Sequence, residues 1–223
     1  MDLTAKKAVL FDLDGTITNS ELGILNCVQY ALEKMGIREP DRKKLLPFIG
    51  PPLHDTFRDM FGMSDEEARQ ATAFYRERYS PIGKFECSVY PGVEEMLRAL
   101  KDSGRKLILA TSKPTGFATD ILEHFGLLSC FDFIGGATLD GSRSTKEDVI
   151  GYVLESGMVS DKEELVMVGD TRFDVIGAAY FGIPAIAVTY GFGSREELTE
   201  AGAAVLADSA AEVADILLGK CHE

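Results

Sequence analysis

Asp12 and Asp14 stand two positions apart at the end of a short apolar run, in the order Phe11-Asp12-Leu13-Asp14-Gly15-Thr16. Both ionised and unpaired, they repel each other, and a divalent cation offsets that repulsion. Asp170, which closes another apolar run in Gly169-Asp170-Thr171, completes an all-oxygen donor set of the kind magnesium takes, with waters in the remaining positions. Aspartate also serves as a helix N-cap and turn residue, a role that suits Asp174 well and Asp170 in part. Thr111, at the end of a third run, and Lys146, in the first turn of a helix, offer a hydroxyl donor and a fixed positive charge. A bound phosphoryl group needs both opposite its non-bridging oxygens. Taken singly they are ordinary: a threonine at a strand end is mostly structural and a lysine in a first helical turn mostly solvated. Ser144 with Glu147 also makes a capping box that accounts for the helix start by itself.

The elements around these residues have to carry them to one place. Apolar runs bounded by turn signals recur at 8–11, 106–111, 131–135, 165–169, 185–188 and 203–206 and read as buried parallel strands. From the second run onward helical patterns separate them, with Val93, Met96, Leu97 and Leu100 on one face, or Phe117, Ile121, Leu122 and Phe125. This alternation predicts an α/β fold with a Rossmann-like, doubly wound parallel sheet. Ligands bind such a sheet at the carboxyl ends of its strands, and the residues singled out above sit at three strand ends and one helix start.

The long interval between the first two runs breaks the alternation and reads as helix. Ile24, Val28, Ala31 and Met35 form one stripe, prolines 40, 47, 51 and 52 punctuate the segment after it, and Ser64-Asp65-Glu66-Glu67 opens a helix running to about Tyr79. We place an inserted helical module at 19–84 and an α/β core at 1–18 and 85–223.

The 223 residues, 45% hydrophobic and 26% charged, are those of a folded domain with a proper core. A net charge of −13 repels polyanions, which argues against nucleic acid and anionic membranes as partners. Cys27, Cys87, Cys130 and Cys221 are widely spaced with no zinc pattern, as suits reduced thiols. The N-terminus lacks the apolar stretch of a signal peptide, and no run reaches the ~20 apolar residues that span a bilayer. The expectation is a cytoplasmic protein; nothing in the sequence sets an oligomeric state.

Taken together, the motifs resemble the haloacid dehalogenase superfamily of aspartate-nucleophile phosphohydrolases. The Asp-x-Asp-Gly-Thr of 12–16, the hydroxyl motif at Thr111, the lysine motif at Lys146 and the Gly-Asp-Thr-x-x-Asp stretch of 169–174 come one after another in the family's order, and the inserted module resembles its small lid-type cap. The resemblance implies that Asp12 attacks phosphorus to form an aspartyl phosphate. Asp14 would protonate the leaving oxygen and later take a proton from water. It further implies magnesium held by the Asp12 carboxylate, the Asp14 backbone carbonyl and Asp170, with Thr111 and Lys146 orienting phosphoryl oxygens and Asp174 holding Lys146 or a metal-bound water. Gly15, Thr16, Ser112 and Lys113 would touch the substrate. An acid at Asp14 points to phosphate esters, because dehalogenation leaves no alkoxide to protonate, and the superfamily's transport ATPases need membrane spans.

Substrate choice is expected from the cap, where Gly50 and Pro51 of the stiff loop Phe48-Ile49-Gly50-Pro51-Pro52-Leu53 and the nearby Arg58 are the candidate contacts; Arg58 and His54 also read as plain surface residues. Linkers near 16–20 and 80–91 would let the cap open and close. Segments such as Ala110-Thr111-Ser112-Lys113-Pro114 and Gly191-Phe192-Gly193-Ser194 resemble the branch called 5′-nucleotidase-like, close to phosphoglycolate phosphatases, although Glu147 stands where the latter carry proline. Gly193-Ser194-Arg195-Glu196-Glu197 also reads as a capped helix start. No GxGxxG opens a helix after the first strand and no GxxxxGK[ST] occurs, which argues against a dinucleotide enzyme. His124 and His222 show no metal spacing. The expected activity is a magnesium-dependent phosphomonoesterase acting on a small phosphorylated metabolite, with a 5′-nucleotidase as the narrowest reading. The alternatives are a phosphoglycolate phosphatase, a phosphosugar mutase and, outside enzymes, a phospho-acceptor or ligand-sensing α/β domain.

Overall fold

Ala8, Val9, Leu10 and Phe11 are all shut off from water, which a strand achieves only when both faces of its sheet are covered. The computed structural model describes residues 2–220, so Cys221 and His222 lie outside the described residues. In chain order the elements are β1 (Ala8–Phe11), β2 (Thr18–Asn19), α1 (Glu21–Lys34), α2 (Leu53–Phe61), α3 (Asp65–Tyr79), β3 (Ser88–Val89), α4 (Val93–Asp102), β4 (Lys106–Pro114), α5 (Thr115–His124), β5 (Phe133–Ala137), α6 (Lys146–Glu155), β6 (Leu165–Gly169), α7 (Arg172–Tyr180), β7 (Ala185–Val188), α8 (Arg195–Glu200), β8 (Val205–Ala207) and α9 (Ala210–Leu218). Contacts divide the chain into two units, one taking in the described residues up to Thr18 and from Val89 onward, the other Asn19–Ser88.

The first unit is an α/β fold built on a six-stranded parallel sheet in the order β5-β4-β1-β6-β7-β8. Strand β1 lies at the point where the order reverses, with Ala8 opposite Lys106 on one side and Leu165 on the other. A crevice opens at such a reversal beyond the carboxyl ends of the strands. Leu10, Ile108, Ala110 and Met167 point to one face, where Val149, Ile150 and Val153 of α6 and Val175 and Ala178 of α7 cover them. Val93, Met96, Leu97 and Leu100 of α4, all buried, and α9 pack on the other face.

The strand limits differ from the expected runs at three places. β4 continues past Thr111 to Pro114 with an irregularity in its pairing. β5 begins at Phe133, because a 3-10 turn over Leu128–Cys130 takes up the chain just before it. β8 is Val205–Ala207. In α5 the buried residues are Ala118, Ile121 and Leu122, and the rings of Phe117 and Phe125 are only half-buried.

In the second unit α1 and α2 both pack on α3. The expected capping box is present: the Ser64 hydroxyl accepts from the Glu67 amide and Glu67 reaches back to the Ser64 amide. Phe48 and Phe57 meet edge to face with ring centres 4.7 Å apart. β2 and β3 form a two-stranded sheet where the chain passes between the units.

Candidate active site

Strand β1 delivers Asp12 to the crevice still in register, since the Asp12 amide donates to the Val168 carbonyl. The chain then turns sharply. The amides of Ile17 and Thr18 both return to the Leu13 carbonyl and the Gly15 amide donates to Thr18. Gly15 makes the turn at φ +84°, and a β-carbon there would fall 2.0 Å from Asp170 Oδ2. The motif therefore needs glycine twice over, for its backbone angle and for the carboxylate lying against it.

Lys146 enters the crevice as the first residue of α6. The helix is capped one residue later than expected: Thr145 and Asp148, not Ser144 and Glu147, form its capping box. That shift makes Lys146 the first helical residue, and its side chain is buried. The ammonium donates to the Ala110 carbonyl at 2.9 Å and makes ion-pair contacts with Asp12 Oδ1 at 2.9 Å and Asp174 Oδ1 at 2.6 Å. Burial works against its charge, yet the two carboxylates outweigh it and hold the lysine above its ordinary range. Asp174 spends its other oxygen on the capping box of α7, accepting from the amide and hydroxyl of Thr171.

Asp170 follows β6 and is fully buried. The Thr16 hydroxyl donates to its Oδ1 at 3.1 Å and the Phe192 amide to its Oδ2 at 2.8 Å. One carboxylate oxygen from each of Asp12, Asp170 and Asp174 lies within 4.8 Å of the others. Lys146 pairs with two of these three acids, so full ionisation of the cluster would bury more negative charge than that one ammonium offsets, at several kcal/mol for each uncompensated charge. The strain shows in proton affinity. Burial, opposed by Lys146 but helped by Asp174 and Asp14, raises Asp12 to about 6. Burial together with the charges of Asp174 and Asp12 pushes Asp170 well above the usual carboxylate range. An all-oxygen pocket with surplus negative charge fits a hard divalent cation.

Asp14 is turned to another partner, with its Oδ2 2.8 Å from the Lys113 ammonium. Its Oδ1 is buried and has no hydrogen bond among the described residues. Thr111 is buried at the same edge, and its hydroxyl accepts from the Lys113 amide at 3.2 Å. Ser112 is half-buried in β4.

Three of the residues expected to touch substrate also have partners within the protein. The Thr16 hydroxyl is occupied by Asp170, where it orients a carboxylate. The Lys113 ammonium is paired with Asp14. Arg58, in the helical unit with Gly50 and Pro51, is exposed among Asp55, Asp59 and Asp65, which pair with its guanidinium. Sequence reasoning missed the Phe192 amide and the Ala110 carbonyl, backbone groups with no side-chain signature. The signal for the first was Gly191-Phe192-Gly193, which comes after β7 at the same sheet edge.

Residues 9–188 match the family model for haloacid dehalogenase-like hydrolases. The chain is 44% identical over 191 residues to a 5′-nucleotidase of Pseudomonas aeruginosa, spanning 85% of this chain and 86% of that protein. It is 39% identical over 202 residues to the tyrosine-protein kinase PtkA of Mycobacterium tuberculosis, spanning 91% of this chain and 68% of that protein. The crystal structure of a predicted phosphatase from Clostridium acetobutylicum superposes with a TM-score of 0.92 at 46% identity, covering 96% of this chain and 99% of that one. By family model, relatives and architecture alike, the chain belongs to the haloacid dehalogenase-like hydrolases and is a phosphatase.

Proposed function

We propose that the chain is a magnesium-dependent phosphomonoesterase that works through an aspartyl phosphate on Asp12. The observation that carries this reading is the buried Asp12 carboxylate held against Lys146 and within reach of Asp170 and Asp174.

The Asp12 and Asp170 carboxylates, with the Asp14 backbone carbonyl, would hold the cation, which when bound would supply positive charge to screen the nucleophile from its anionic target and to offset charge on the phosphoryl oxygens. Asp12 attacks phosphorus, the bond to the ester oxygen breaks, and Asp14 gives that oxygen its proton. Asp14, now a carboxylate, takes a proton from water as the water attacks phosphorus. The bond from Asp12 to phosphorus then breaks and inorganic phosphate leaves. Lys146 keeps its charge throughout and steadies Asp12, while Thr111 offers a hydroxyl to a phosphoryl oxygen.

Nucleoside 5′-monophosphates are the substrates this reading favours, on the likeness to a protein named 5′-nucleotidase. Phosphate release from nucleoside 5′-monophosphates, phosphoglycolate and sugar phosphates, with and without EDTA, tests it. Asp12→Asn should lower turnover on the order of 10³-fold or more, and a variant that keeps most of its activity overturns the nucleophile assignment. The likeness to PtkA favours a second reading, transfer of the phosphoryl group to a tyrosine hydroxyl in place of water. Phosphotyrosine formed from ATP and a tyrosine peptide faster than phosphate is released would select it.

A further inference from the structure

We propose that Tyr190 is a positioning residue that fixes Asp170 for the cation, through a closed ring of hydrogen bonds joining the segment after β7 to the loop after β1. The inference rests on the reading of Asp170 as a metal ligand and extends it to a residue that touches neither metal nor substrate.

The ring has four corners. The Tyr190 hydroxyl donates to the Thr16 carbonyl at 3.0 Å. The hydroxyl of the same threonine donates to Asp170 Oδ1. The other oxygen, Oδ2, accepts from the amide of Phe192, and two peptide units lead from Phe192 back to Tyr190. The Gly193 amide adds a bond to the Asp170 carbonyl at 3.2 Å, so backbone and side chain of Asp170 are both tied to this segment. The Tyr190 ring is itself held in place. It packs on Tyr90 with centres 4.8 Å apart, and the Tyr90 amide donates to the Ile17 carbonyl at 3.1 Å, next to the carbonyl that Tyr190 holds.

An unbraced carboxylate turns about its last bond, and the cation would have to stop that rotation on binding. With both oxygens fixed beforehand, that ordering is already complete. Outer partners of metal ligands commonly set affinity by ten- to hundredfold. Tyr190→Phe removes one hydroxyl and keeps the ring packing, so it opens the circuit at one corner alone.

The experiment measures Mg²⁺ binding to metal-free protein by titration calorimetry, with Mn²⁺ followed by electron paramagnetic resonance as a second probe, and no turnover involved. Tyr190→Phe should raise both dissociation constants on the order of tenfold, with a melting midpoint in EDTA close to that of the wild type. The loss in phosphate release at low magnesium should be recovered by raising magnesium. Thr16→Val, which opens the next corner, should weaken binding similarly, and Thr16→Ser, which keeps the hydroxyl, should restore it. Dissociation constants within twofold of wild type for both Tyr190→Phe and Thr16→Val overturn the proposal. So does weakened binding that tracks a fall in melting midpoint in EDTA, the mark of a general loss of structure. Asp170→Asn separates the two levels: if it binds as wild type does, the metal reading fails too, and if it alone loses binding, only the role of Tyr190 fails.

Discussion

The Lys113 ammonium stands 2.8 Å from Asp14 Oδ2, and both side chains are withdrawn from water, 5% and 15% exposed. The group proposed to pass protons is thus anchored by a fixed positive charge, and removing that charge leaves a carboxylate nearly alone in a poorly hydrated place. Lys113→Met should cost on the order of 3 kcal/mol of stability. The double variant with Asp14→Asn should lose less than the sum of the two single changes, by about 1–3 kcal/mol. Urea unfolding of the four proteins measures the coupling, and strict additivity would show that the pair does not act as one.

Gly177 reverses an ordinary rule. Alanine is preferred over glycine inside a helix by about 1 kcal/mol, and Gly177 lies within α7. A β-carbon at this position would fall 2.7 Å from Cγ and 2.8 Å from Cβ of Lys146, too near the root of that side chain to be relieved by its flexible end. Gly177→Ala should therefore lower the melting midpoint and, by displacing the ammonium, cut phosphate release on the order of tenfold. A more stable and fully active alanine variant, seen by circular dichroism and phosphate assay, would contradict this.

Cation binding should be visible without substrate. Because Asp12, Asp170 and Asp174 crowd together around one ammonium, an ion that binds the folded chain alone stabilises it by about 2.7 kcal/mol at a hundredfold excess over its dissociation constant. The melting midpoint should climb with magnesium, fall back in EDTA, and stay flat in Asp170→Asn. A wild-type midpoint indifferent to magnesium would remove the metal from the account.

Acid should loosen the helical unit through one ion pair. Arg78 donates to both oxygens of Glu86, at 2.6 and 3.0 Å, and these bonds hold Glu86 below the ordinary glutamate value of 4.5. A carboxyl group depressed by folding contributes stability that is complete above its unfolded value and is lost as pH falls through the lower, folded one. Glu86→Gln should cost about 1–2 kcal/mol at neutral pH. Its difference from wild type should shrink once the pH drops below 4.5. Urea titrations at neutral pH and at about pH 3.5 test the sign, and an equal gap at both would refute it.

Much of the fold is legible in the chain because central parallel strands are buried on both faces and read as unbroken apolar runs. The limits of β1, β6 and β7 coincide with those runs. β5 and β8 are the edges of the sheet, and their half-buried residues blur the pattern that marks an end. Among the polar groups, those gathered around Asp12 are visible as side chains at strand ends. What holds them is less visible: the Ala110 carbonyl and the Phe192 amide belong to the backbone, which every residue carries. That Thr16 and Lys113 pair with Asp170 and Asp14 is not legible either, because composition does not say which carboxylate claims a nearby donor first; burial beside those two acids decides it.

Asp174 splits its carboxyl group between two tasks, one oxygen accepting from Thr171 and the other facing Lys146. The start of α7 and the seating of the Lys146 charge therefore depend on the same carboxyl group. A substitution at Asp174 would disturb the opening turn of one helix and the placement of a lysine from another at a single stroke.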